Sequence, residues 1–107
     1  MSEHSYSFRI KDMLRKKGWT VISLETLGRG IPDCLCAKRK RFFLLEFKFE
    51  KNKINELQKI FYFDNQINID IFILRKDDEG LKLFTDTNSY LFKSVKELID
   101  YFERRIR

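Results

Sequence analysis

The stretch Pro32-Asp33-Cys34-Leu35-Cys36-Ala37-Lys38-Arg39-Lys40-Arg41-Phe42-Phe43-Leu44-Leu45-Glu46-Phe47-Lys48 reads as two strands joined by a basic turn. Ile31 to Ala37 is a short run broken by Pro32 and Asp33, and Phe42 to Phe49 is rich in Phe and Leu. Strand side chains alternate between faces, so Phe42, Leu44, Glu46 and Lys48 share one face. Phe43, Leu45, Phe47 and Phe49 share the other. A turn over Lys38 to Arg41 pairs Ala37 with Phe42 and Leu35 with Leu44, which sets Asp33 across from Glu46. Opposed residues on one face have Cβ atoms about 4.5–5.5 Å apart, so two carboxylates there repel unless something positive sits between them. A metal ion fills that need. The plainer reading is a salt bridge from Lys48 to one of the acids on a half-exposed sheet.

Pro32-Asp33 followed by a spacer and Glu46-Phe47-Lys48 resembles the PD-(D/E)xK nuclease signature. Within that superfamily the chain is most similar to the VRR-NUC domain, with the archaeal-type Holliday junction resolvases close behind. Gly28-Arg29-Gly30-Ile31 resembles the glycine-bearing approach to the first catalytic strand. Asn55-Glu56-Leu57-Gln58 resembles the family's S/T-x-x-Q helix start, with Asn for the usual hydroxyl residue. Glu3 stands ahead of the first helical pattern, where the family often carries another acid. The resemblance covers roughly residues 3–75.

Length and charge agree with that direction. The 107 residues suffice for one domain, spanning 1–107, with a single modest core. Lys and Arg outnumber Asp and Glu by 22 to 16, a net charge of +6 that suits a polyanionic partner without proving one. Cys34 and Cys36 are too few for a structural zinc site, and side by side on a strand they do not bridge easily. Buried free thiols in a reducing compartment are the expectation. No signal peptide, membrane-length apolar run, repeat or low-complexity linker is visible, so a soluble intracellular protein is expected. His4 is the sole histidine and lies beside the chain end, which leaves no Ser-His-acid or Cys-His arrangement.

Along the chain, Tyr6, Ile10, Met13 and Leu14 recur at helical spacing within residues 3–17, and Gly18 is a natural stop. Glu3 reads equally as an outer ligand to a metal and as a helix-start acid favoured by the dipole. Trp19 to Leu24 reads as a strand, and Glu25 to Gly30 as a loop in which Glu25 is a weaker candidate acid. Arg29 there suits either phosphate contact or an ordinary turn. Asn55 with Gln58 fits a capping box over a helix carrying Leu57, Ile60, Phe61 and Asp64. Gln58 is then either a cap partner or, as the resemblance implies, a polar group near Lys48 and the DNA. Ile67 to Leu74 reads as a buried strand parallel to its neighbour, and Leu81 to Thr85 as a short one. The spacing of Leu91, Val95, Leu98, Ile99 and Phe102 predicts a last helix starting at Asn88 or Ser89.

The expected architecture is α/β: a mixed sheet flanked by helices in the order α-β-β-β-α-β, then a β-α tail, the restriction-endonuclease-like core that the resemblance implies. The implied function is a metal-dependent DNA endonuclease acting on branched DNA such as a four-way junction, working as a homodimer. Asp33 and Glu46 would hold Mg²⁺ or Mn²⁺ with the Phe47 carbonyl as third ligand and Glu3 as a further candidate. Lys48 would orient the attacking water, and Gln58 would assist. Arg29, the turn Lys38-Arg39-Lys40-Arg41, Lys51 and Lys53 are the candidates for phosphate contact, though a charge run also serves as a solvated guard on a sheet edge. Two alternatives stand beside it: restriction-like or flap- and end-processing cleavage on the same core, and a catalytically idle nucleic-acid-binding protein.

Overall fold

The computed structural model describes residues 3–49 and 54–106. Helix α1 (Glu3–Lys16) leads into strands β1 (Thr20–Ser23), β2 (Cys34–Lys38) and β3 (Arg41–Phe49). Helix α2 (Glu56–Asn65) follows, then β4 (Ile71–Asp77), β5 (Gly80–Phe84), β6 (Ser89–Phe92) and helix α3 (Val95–Arg105). The strands form a six-stranded sheet in the sequential order β1 to β6. Neighbours are antiparallel except β3 and β4, which run parallel because α2 carries the chain back across the sheet.

The β2–β3 hairpin has the expected register, with Leu35 opposite Leu44 and Ala37 opposite Phe42. Arg39 and Lys40 alone form the tip, and both have positive φ (56° and 67°), the pattern of a tight two-residue turn that matches strand twist. The alternation follows. Phe43, Leu45 and Phe47 are buried with Cys34 and Cys36 under α1 and α3. Tyr6, Ile10 and Leu14 of α1 and Leu98, Ile99 and Phe102 of α3 complete that core. Its centre is aromatic: Phe102 stacks on Phe43 at 4.6 Å, and Trp19 meets Phe43 edge-on at 5.4 Å. The two cysteines are free thiols with Sγ atoms 3.8 Å apart. The Cys34 thiol and burial together push the Cys36 thiol far above its usual range, so it stays protonated and inert.

The opposite sheet face, with Leu44, Glu46 and Lys48, receives α2 and the loop through Gly30 and Pro32, and none of that helix's residues is fully buried. Two boundaries differ from the sequence reading. The parallel strand begins at Ile71 rather than Ile67, since residues up to Gln66 still complete the end of α2. Ser89–Phe92 is an edge strand paired with β5, not the start of the last helix. That helix is instead capped by Ser94, whose hydroxyl accepts from the Glu97 amide while Glu97 takes the Lys93 amide. No helix among the described residues is long and apolar enough to cross a membrane.

Phe102 meets the rings of Trp19, Phe43, Phe72 and Tyr101 from the middle of α3. Phe102→Ala is expected to lower the unfolding free energy by about 3–5 kcal/mol in urea denaturation, the usual cost of emptying an aromatic core position.

Candidate active site

The C-terminal half of β3 brings Glu46 and Lys48 under the start of α2, and the bend before β2 brings in Asp33. The β2–β3 ladder ends at Cys34 opposite Leu45, so Asp33 lies just beyond it. Its carboxylate accepts the Phe47 backbone N–H at 2.8 Å, which fastens the bend to β3 beside Glu46. From the other side the Asp33 carbonyl accepts the Leu24 amide at 2.7 Å. Asp33 is thus held at both its backbone and its side chain.

Glu46 is 5% exposed, although it is a carboxylate. One oxygen, Oε2, accepts from the Gln58 side-chain amide and lies 3.6 Å from the Lys48 ammonium. The other, Oε1, is buried and has no hydrogen-bond partner among the described residues. Burial, and then the negative charge of Asp33, push its pKa up to about 8, and Lys48 only partly opposes them. An orphaned buried oxygen beside a second carboxylate is a donor set for a hard cation. Among the described residues no cluster of three or more Asp, Glu, His or Cys gathers. Two carboxylates are a donor number within the range of Mg²⁺, which commonly takes one or two and leaves other positions to water and phosphate.

Gln58 closes the expected cap and also reaches the buried acid. Its Oε1 accepts the Asn55 amide and Asn55 accepts the Gln58 amide, a complete capping box. Its Nε2 is left to reach Glu46. Gly30, at φ +78°, sits where a Cβ would overlap the Leu57 backbone carbonyl, so the loop packs directly on the first turn of α2. Tyr6, legible in the sequence only as a core residue, donates its hydroxyl toward the Lys48 carbonyl at 2.7 Å and the Leu74 carbonyl at 3.1 Å. It ties α1 to the strand that carries the acid and the lysine.

The remaining candidates are dispersed. Arg29 is exposed in the left-handed loop at φ 56°. Arg39 and Lys40 are exposed at the hairpin tip, and Arg41 at its base reaches the Arg105 carbonyl at 3.5 Å. Lys38 does not belong to the tip: it turns onto Glu103 at 3.0 Å and the Lys17 carbonyl at 2.6 Å, because it stands at a strand end facing α3. The tip lies at the far end of β3 from Glu46, about 20 Å of extended chain away. Glu25 pairs with Lys11 at 3.1 Å. The side chain of Glu3, and Lys51 and Lys53 altogether, lie outside the described residues.

With this geometry the chain is similar to Hjc, a Holliday junction resolvase from the archaeal hyperthermophile Archaeoglobus fulgidus. The TM-score is 0.54 over 90% of this chain and 88% of that one, at 16% sequence identity. The fold matches that of a resolvase. At this identity the likeness to Hjc is one of fold. No family model matches the sequence, and no curated protein does.

Because the Glu46 pKa is raised on folding, the folded chain holds a proton that the unfolded chain releases above its ordinary carboxylate pKa near ~4.3. That contribution to stability is complete below the unfolded value and is lost as pH rises through about 8. In EDTA, the urea midpoint of the native chain should fall between those two limits, whereas Glu46→Gln should flatten the profile and be at least as stable at the alkaline end.

Proposed function

We propose that the chain is a metal-dependent endonuclease that hydrolyses phosphodiester bonds in branched DNA. The observation that carries this reading is the buried Glu46 carboxyl with one oxygen unpaired, set beside Asp33, Lys48 and Gln58. A purely structural sheet face has no use for two carboxylates whose charges raise each other's cost. The PD-(D/E)xK motif supports the same reading, and by motif the chain is most like a VRR-NUC domain, one domain over 1–107. The fold likeness to a junction resolvase supports branched DNA as the substrate.

In this reading Asp33, Glu46 and the Phe47 carbonyl hold Mg²⁺ or Mn²⁺, with Glu3 as a further candidate ligand. When bound, such an ion neutralises phosphate charge and lowers the pKa of water. The chain's own groups do the rest. Asp33 is kept in place by the Phe47 amide. Lys48 stands at the edge of the site, 3.6 Å from Glu46, where it orients water and meets the negative charge that grows on the phosphate oxygens. Gln58 fixes the rotamer of Glu46 through Oε2, so that Oε1 stays aimed away from it. Water attacks phosphorus and gives up a proton to the solvent, the bond to the leaving sugar oxygen breaks, and that oxygen takes a proton from solvent water. Arg29, Arg39, Lys40, Arg41, Lys51 and Lys53 contact phosphates along the duplex arms. Lys38 is withdrawn from that set by Glu103. Cutting a junction on both sides needs two such sites, hence a homodimer. The enzyme works inside the cell, where Cys34 and Cys36 stay reduced.

Labelled four-way junction, flap, duplex and single-stranded substrates, each in Mg²⁺, Mn²⁺ and EDTA, test this. Paired nicks on the junction, absent in EDTA, are expected. Asp33→Asn should abolish them, and Lys48→Ala should slow them by about 10²–10³-fold, the scale for losing one group that stabilises developing charge. Both variants should fold and bind junction. Cleavage that persists in EDTA, or in Asp33→Asn, contradicts the assignment.

A further inference from the structure

The sheet face that carries Glu46 and Lys48 continues past α2 with a charge pattern that the active-site reading does not use. Across the ladder Lys48 is the partner of Arg75, and Arg75 is the partner of Lys82. Paired residues point to one side, so three cations stand abreast on β3, β4 and β5, with neighbouring strands about 4.8 Å apart. Like charges set directly opposite are destabilising, and the shielding is partial. Lys48 has Glu46 at 3.6 Å, and Lys82 has the exposed Glu79 at 3.9 Å. Arg75, in the middle, makes no ion pair among the described residues. Its Nε is buried without a hydrogen-bond partner among them. Its guanidinium lies over the Phe84 ring at 5.8 Å.

The neighbouring row turns apolar beyond the acid: Glu46 is the partner of Ile73, and Ile73 of Phe84. With Tyr62 and Phe63 of α2 as the facing wall, Ile73 and Phe84 line an open groove of about 470 Å³ with Arg75 and Lys59 at its margin. Phe63 is 67% exposed there. Ile73 and Tyr62 also line the smaller cleft that contains Glu46 and Gln58, so the groove opens directly beside the candidate active site.

A row of cations alongside aromatic faces is the arrangement by which proteins hold single-stranded nucleic acid, with phosphates on the charges and bases stacked on the rings. We propose that the groove between α2 and strands β4–β5 binds an unpaired strand, with phosphates along Lys48, Arg75 and Lys82 and a base against Phe63 and Phe84. The strand is thereby led to Asp33 and Glu46. This deepens the nuclease reading and rests on it for the strand's destination: the substrate presents unpaired nucleotides next to the bond that is cut. A second copy of the chain fits the groove less well. A two-fold contact sets the same patch against itself, and interface centres are depleted of charge.

The test is binding, in EDTA, of a fluorescent oligothymidylate of roughly twelve nucleotides, with an abasic oligomer and a blunt duplex of equal length. Oligothymidylate should bind more tightly than the duplex. Phe63→Ala and Phe84→Ala should each weaken it by about 5- to 100-fold while leaving the abasic oligomer nearly untouched. Arg75→Gln and Lys82→Gln should weaken both single strands and each lower the salt-dependence slope by about 0.7. Unchanged oligothymidylate binding in Phe63→Ala and Arg75→Gln overturns the proposal. A dimer that falls apart in Phe63→Ala at unaltered oligothymidylate affinity gives the groove to a second copy and overturns it too. Junction cleavage with unchanged oligothymidylate binding removes the groove and keeps the nuclease; the expected binding pattern without any cleavage does the reverse.

Discussion

Burying the Glu46 carboxyl between a sheet and a helix costs free energy that only a proton or a positive partner offsets, and the local structure is arranged around that cost. Lys48 lies on the same strand face and Gln58 donates from α2, yet both act on Oε2 and leave Oε1 alone. Asp33 is brought alongside by the Phe47 amide and makes ionisation of Glu46 harder still. A fold under selection for stability alone would place an apolar residue or an amide at position 46. In the proposed reading, the acid pair is explained by a cation that it would hold.

The supports of this site come from three separate parts of the chain. Tyr6 ties α1 to the Lys48 carbonyl, the Gly30 loop packs on the first turn of α2, and the capping box at Asn55 fixes Gln58. Tyr6 touches the acid strand directly, the cap reaches it through Gln58, and the Gly30 loop braces the helix that carries Gln58. Gln58 combines both roles in one side chain: its oxygen closes the helix cap and its nitrogen serves the site. Glu46, Lys48 and Gln58 stand on rigid elements, and Asp33 sits on a bend fastened at both its backbone and its side chain, which keeps the constellation in place without a ligand.

That Asp33 and Glu46 come together was legible because both lie in one hairpin. A basic turn of defined length sets the register, and register decides which acids face each other. The helix start at Asn55 was legible from its capping residues. What escaped had a physical reason in each case. The spacing of Leu91, Val95 and Leu98 imitates a helical stripe, although Leu91 belongs to an edge strand. Ser94 with Glu97 is a capping signal in the sequence itself and marks the true start. Lys38 belongs to a run of four basic residues, and only the packing of α3 shows that Glu103 claims it. Arg75 and Lys82 are distant from Lys48 in sequence, and their alignment depends on cross-strand pairings that no local pattern encodes. The hydroxyl of Tyr6 was hidden behind its apolar role for the same reason.

The most direct test of the central claim is calorimetric titration of the metal-free chain with Mn²⁺, in buffers of different ionisation enthalpy, near neutrality and at alkaline pH. If Asp33 and Glu46 form a cation site, Mn²⁺ binds, releases a proton where Glu46 is still protonated, binds more tightly as pH rises, and is lost in Asp33→Asn. Binding without proton release that survives Asp33→Asn, or no binding at either pH, would contradict it.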